Sequence, residues 1–144
     1  MIIIKEMAKE FKVKSLYDPG TAKFLEDKYV IRPPFYGVLD GVSGLYDPNI
    51  GPRFFGKLSG GLAVVKIVEK VFQKAKVSES LDKVLRHASA EIRKFVKQHR
   101  LNLKAGQVPG ADFAFCKIGK KQIEIVQAAA AMVIVLLKNG KILN

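Results

Sequence analysis

Apolar and polar positions along this chain first alternate, then cycle with helical spacing, then alternate again. Residues 10–16 read as a strand, closed by the turn-forming run Asp18-Pro19-Gly20. Tyr29, Val30 and Ile31 favour a pleated backbone, so a second strand is expected over residues 25–32, stopped by Pro33-Pro34. Residues 35–39 pair back on it as a third strand and complete a hairpin. A loop containing glycine and proline covers residues 41–58. Ser59 then fits the N-cap of a helix reaching about Ala75, with Leu62, Val64, Ile67, Val68, Val71 and Phe72 at helical spacing. A second helix starts after Ser80 and runs to about Gln98. Its apolar face holds Leu81, Val84, Leu85, Ala88, Ile92, Phe95 and Val96, with Lys83, Arg86, Arg93, Lys94 and Lys97 mainly elsewhere. Past a loop around Gly106 and Pro109-Gly110, strands return over residues 111–118 and over 122–137 with a break. A short one follows the turn Asn139-Gly140. The run Ala128-Ala129-Ala130-Ala131 sits oddly in a strand, where alanine is depleted.

Segregated strands and helices predict an α+β fold with antiparallel sheets rather than a doubly wound parallel one. The 144 residues suit a single domain spanning 1–144, large enough to fold alone. A composition 49% hydrophobic and 26% charged is that of a soluble globular chain. No apolar run approaches the roughly 20 residues of a membrane helix. Met1-Ile2-Ile3-Ile4 meets Lys5 and Glu6 at once, too short for a signal peptide, so a cytoplasmic protein is expected. The lone Cys116 excludes an internal disulfide and reads as a buried structural thiol in an alternating apolar stretch. The net charge of +12 predicts attraction to nucleic acid, anionic lipid, or acidic or phosphorylated protein. The basic residues form no block and no recognisable nucleic-acid motif, so a nucleic-acid reading rests on charge alone.

The chemistry concentrates in Phe35-Tyr36-Gly37-Val38-Leu39-Asp40-Gly41-Val42-Ser43-Gly44, with Glu26-Asp27 upstream. The apolar strand delivers Asp40 into a glycine-rich turn, where backbone can closely approach an ion or phosphate. Asp27 and Asp40 lie at opposite sequence ends of the hairpin, and antiparallel pairing makes those ends neighbours in space. Oxygen ligands without a His or Cys cluster suit Mg²⁺ or Mn²⁺ rather than zinc. Two carboxylates plus a glycine carbonyl can begin a two-metal site that activates water for attack on phosphorus. The plainer alternative is an aspartate capping a turn beside a solvated Glu-Asp pair. Gly56-Lys57-Leu58-Ser59-Gly60-Gly61 lacks the spacing of a phosphate loop and reads as a helix entrance. His87 is expected to face solvent on the second helix, and His99 falls near the end of that helix's apolar seam. Neither has triad partners at a recognisable spacing.

Glu26-Asp27-Lys28-Tyr29-Val30 followed by Phe35 through Gly44 resembles the two leading motifs of the metal-dependent protein serine/threonine phosphatases of type 2C, the PPM family. There an acidic pair opens a strand and a Gly-Val-x-Asp-Gly-x-x-Gly turn follows. The likeness continues through two helices, the strand start Pro109-Gly110-Ala111-Asp112 and the hairpin ending Asn139-Gly140-Lys141-Ile142, and so spans nearly the whole chain as the N-terminal part of a catalytic domain. The resemblance implies an antiparallel β-sandwich flanked by helices. It implies two Mn²⁺ or Mg²⁺ ions bridged by Asp40, one of them bound by the Gly41 carbonyl, with Asp27 holding the other directly or through water and Glu26 supporting through water. A bridging hydroxide would then hydrolyse phosphoserine or phosphothreonine in a protein substrate without a covalent intermediate.

Three departures shape that expectation. The family's phosphate-gripping arginine, four residues before the acidic pair, is Ala22 here. Lys23 beside it offers a phosphate only a point charge. Ala129 to Ala131 replace a Gly-Asp dipeptide whose aspartate is associated with a further metal position. The chain also stops at Leu143-Asn144, where family members run on through strands supplying further aspartates, so activity would need ligands from another chain. The readings rank as a metal-dependent phosphatase, then a pseudophosphatase that binds a protein partner, then a basic nucleic-acid-binding protein. A half sandwich leaves sheet edges and apolar faces uncovered, so a homo-oligomer or a complementing chain is expected.

Overall fold

The computed structural model describes residues 13–18, 21, 25–43, 54–101, 108–120, 122–136 and 139–143. In chain order its elements are β1 (Lys28–Arg32), β2 (Phe35–Val42), β3 (Phe54–Phe55), β4 (Leu58–Ser59), α1 (Gly60–Lys74), α2 (Leu81–Gln98), β5 (Gly110–Ile118), β6 (Ile123–Ala128), β7 (Val135–Leu136) and β8 (Ile142–Leu143). The fold is α+β. A four-stranded antiparallel sheet ordered β1-β2-β5-β6 packs against both helices, with β3–β4 and β7–β8 as separate two-stranded antiparallel pairs.

The period-two pattern of β2 sets the two faces of the sheet. Phe35, Leu39 and Gly41 are buried, while Val38, Asp40 and Val42 on the alternate positions are exposed. The buried side joins Val30 of β1 and Phe115 of β5 to Val65, Val68 and Phe72 of α1 and Leu81, Val84 and Ala88 of α2. Phe72 is the centrepiece. Its ring stacks on Phe115 at 4.2 Å and meets Phe35 edge-on at 5.7 Å. Such aromatic pairs add about 0.5–1.5 kcal/mol each beyond the area they bury.

Both helices begin where the sequence places them. Ser59 Oγ accepts from the Leu62 amide at 3.4 Å, and Ser80 Oγ accepts from the Lys83 amide at 3.3 Å. The exposed pair Arg86–Asp82 on α2 contributes little, because solvent screens it, and Lys83 reaches back to the partly exposed Glu79 just before the helix. A less exposed set of contacts ties the helix to the sheet. Glu124 of β6 accepts from the Leu81 amide at 2.7 Å and pairs with Lys117 of β5 at 3.4 Å. Lys117 also donates to the Glu79 carbonyl at 2.7 Å.

Several expectations need correction. Residues 13–16 carry no strand, and Leu16 is 98% exposed. The segment lies along the outer face of the four-stranded sheet without pairing to a strand, so propensity alone does not make a strand. Residues 10–12 of that expected strand lie outside the described residues. β1 begins at Lys28 rather than at residue 25, because its ladder starts with the pair Lys28↔Leu39. Residues 41–58 are not all loop. β2 runs on to Val42, paired with Gly110, and β3 and β4 form a hairpin, while residues 44–53 lie outside the described residues. The break expected within residues 122–137 is the alanine run itself: β6 ends at Ala128, and Ala129 turns with φ 60°. Cys116 is half-buried rather than buried, and burial pushes its thiol pKa up, away from reactivity. Among the described residues no helix is long and apolar enough to cross a membrane.

Candidate metal centre

The hairpin places its acidic residues together. Lys28 pairs with Leu39 across β1 and β2, so the next step of the ladder brings Asp27 opposite Asp40. Asp27 lies close enough to Asp40 for hydrogen bonding between the two carboxyl groups to favour the protonated form of Asp40. On the other side of β2, Asp40 stands directly across from Asp112 of β5. Cross-strand partners lie on one face of a sheet, so Asp40 and Asp112 share the face turned away from the helices.

This crowding favours the protonated form of Asp40. Although the residue is exposed as a whole, partial burial of its carboxyl is the first cause lifting the pKa above the usual aspartate value. The hydrogen bond to Asp27 and the charges of Asp27, Asp112 and Glu26 lift it further. Like charges without a compensating cation disfavour the ionised form. Among the described residues no group of three or more His, Cys, Asp or Glu side chains converges as a ready cage for an ion. The donor set is nevertheless all hard oxygen, the chemistry that Mg²⁺ and Mn²⁺ take.

Glu26 does a different job from its neighbour. Its carboxylate accepts from Ser43 Oγ, whose oxygen in turn accepts from the Gly61 amide at 3.2 Å. That chain of hydrogen bonds joins the residue before Asp27, the residue after β2 and the first turn of α1. The approach of helix to strand is close enough to demand glycine on both sides. A Cβ at Gly61 would stand 2.6 Å from the Gly41 carbonyl carbon, and one at Gly41 would stand 2.8 Å from the Gly61 carbonyl carbon. Gly41 is therefore held by packing, at the position next to Asp40.

The structure thus brings together Asp27, Asp40, Gly41 and Glu26 from the expected set, while Lys23 and Ala22 lie outside the described residues. His87 is exposed, 3.7 Å from Glu91. His99 caps α2 and packs against Phe55 and Phe95. Neither joins the carboxylates. Sequence reasoning missed Asp112 and Ser43. Asp112 carried a signal, an aspartate just after a Pro-Gly strand start, but its role depends on the pairing of β2 with β5 some seventy residues on, in the register Asp40↔Asp112. Asp112 also accepts from the Ala130 amide at 3.3 Å, which sets the alanine turn beside it.

An open cavity of about 800 Å³ extends from this cluster over the outer face of the sheet, lined in part by Asp27, Asp40, Tyr36, Val38 and Met132. Its size is within the range of small-molecule sites. Set against models of known protein families, curated proteins and solved structures, the chain matches none of them.

Proposed function

We propose that this chain carries part of a metal-dependent phosphoester-hydrolysing centre, acting on phosphoserine or phosphothreonine in proteins, as the resemblance to type 2C phosphatases implies. The observation that carries the reading is the meeting of Asp27 and Asp40 across the hairpin, with Asp112 facing Asp40 from the next strand. Asp40 and Asp27 would hold Mn²⁺ or Mg²⁺, with the Gly41 carbonyl as a further oxygen donor. Asp112 is a carboxylate within reach of the same end of the sheet. When bound, the ions would lower the pKa of a water and offset charge developing on the phosphoryl oxygens. The protein's own part is to keep Asp40 at the end of a paired central strand and to lock the backbone before Asp27 through Glu26 and Ser43. Relief of the repulsion around Asp40 would favour a divalent cation there.

The two-sheet sandwich belongs to the same proposal. Tyr29, Ile31, Val38 and Ile125 on the outer face are exposed apolar residues, and β7–β8 is a second antiparallel pair outside the four-stranded sheet. Such a face suits a covering layer of strands.

The test is thermal stability with Mn²⁺. Saturation to about a hundred times Kd stabilises by roughly 2.7 kcal/mol, and Asp40→Asn should abolish that gain. Equal melting temperatures with and without about 1 mM Mn²⁺ in the parent protein would remove the metal reading.

A second reading is favoured by the alanine turn. Ala129, Ala130 and Ala131 bring no donor side chain to the neighbourhood of Asp112, as a scaffold that has lost chemistry and kept a binding role would show. Hydrolysis of p-nitrophenyl phosphate separates the two: turnover that needs Mn²⁺ and Asp40 excludes the binding module.

A further inference from the structure

α1 and α2 enclose between them a groove of about 470 Å³ that uses none of the carboxylates described above. Ile67 and Val71 of α1 and Phe95 of α2 supply its apolar surface. Lys70 and Lys74 line it from α1, and Lys94 lines it from α2, all three exposed. Lys66 continues the α1 row one turn earlier, and four-residue spacing sets successive ammonium groups about 6 Å apart along the helix. Lys66, Lys70 and Lys74 form no salt bridge among the described residues. Among the described residues that line the groove the carboxylate is Glu91, which pairs with Lys94 at 2.5 Å and also feels the charge of Lys70.

An apolar recess bordered by exposed ammonium groups that outnumber its carboxylate selects for a ligand with both characters. A nucleic-acid backbone has phosphates but nothing to fill a recess of Ile67, Val71 and Phe95. A bilayer surface is too flat to enter a cleft between two helices. An amphipathic protein segment fits: apolar side chains at helical spacing seat in the recess and flanking Asp or Glu meet the lysines. The geometry points to this groove as a docking site for an acidic amphipathic segment of a partner protein. Charge complementarity with a chain of net charge +12 steers that encounter.

The experiment uses the full chain and a fluorescein-labelled peptide of about 16 residues, four helical turns, with leucines at three- and four-residue spacing and glutamates between them. Anisotropy at about 50 mM NaCl should show saturable binding that weakens several-fold at about 300 mM. The double change Lys70→Glu, Lys74→Glu should weaken it about tenfold or more, since two attractions become repulsions. Both lysines are exposed, where single charge attractions contribute little, so the melting temperature of that variant should stay close to the parent's, which separates lost docking from lost folding. A peptide with its leucines replaced by serine should not bind. The proposal is overturned by an absence of saturable binding, by binding indifferent to the lysine reversal, or by equal binding of the serine peptide. It is equally overturned if a DNA duplex or phosphatidylserine vesicles bind more tightly than the peptide through the same two lysines. None of these outcomes touches Asp27, Asp40 or Asp112, so this inference and the metal reading fail separately.

Discussion

Gly61→Ala tests the joint between fold and site most directly. The added methyl would stand 2.6 Å from the Gly41 carbonyl carbon and 2.8 Å from Glu26 Cδ, against an ordinary carbon–carbon separation of about 3.5–4.0 Å. The strand backbone cannot rotate away as a side chain can, so the first turn of α1 must retreat by about 1 Å. Overpacking of this kind costs about 1–3 kcal/mol. Alanine's better helix propensity returns at most about 1 kcal/mol. The net expectation is a loss of about 1–2 kcal/mol, or roughly 2–8 °C in Tm for a chain of this length. Urea denaturation followed by far-UV circular dichroism measures it, with Gly110→Ala as the control. Nothing lies within 4 Å of a Cβ at Gly110, so that variant should stay within about 0.5 kcal/mol of the parent. A Gly61→Ala protein as stable as the parent, or more so, would refute the backbone-to-backbone contact of α1 with β2.

Phe72→Ala should cost about 3–5 kcal/mol, a large share of a typical domain's stability, because it removes a fully buried ring and both aromatic contacts. A urea midpoint shifted by less than a third of that would show the ring to be peripheral. Ala129→Gly should raise stability by about 0.5–1 kcal/mol, since φ 60° strains alanine and not glycine; a lowered midpoint would contradict that backbone. The raised pKa of Asp40 means the folded state keeps its proton to higher pH than the unfolded chain. Stability is therefore lost as pH rises from the ordinary aspartate range through the folded pKa, and the loss persists above it. In metal-free buffer, Asp40→Asn should melt above the parent at pH 7 and converge with it below about pH 4, and parallel melting profiles across that range would rule the effect out.

Local signals carried most of the fold. Ser59 and Ser80 announced both helices because an N-cap is a matter of four consecutive residues. The β1–β2 hairpin was legible for the same reason, and with it the pairing of Asp27 with Asp40. Strand order was not legible, because β2 pairs with β5 across two helices and no local pattern encodes that register. Asp112 went unnoticed as a site residue on that account alone. Ser43 was hidden differently: its partner is the first turn of a helix, and only the packing of α1 on β2 brings Gly61 to it. Residues 13–16 show the reverse failure, a strand-like pattern that pairs with no described strand.

The contact between Glu124 and the Leu81 amide has a consequence for motion. First-turn amides of a helix usually exchange with solvent quickly, having no partner within the helix. Here the partner sits on β6, and Lys117 fastens that same glutamate to the strand beside it and to the residue before the cap. The start of α2 can then open only when the far edge of the sheet opens with it. Leu81 should exchange as slowly as the amides of β5 and β6, so that helix pair and sheet behave as one cooperative unit and the groove between the helices keeps its width.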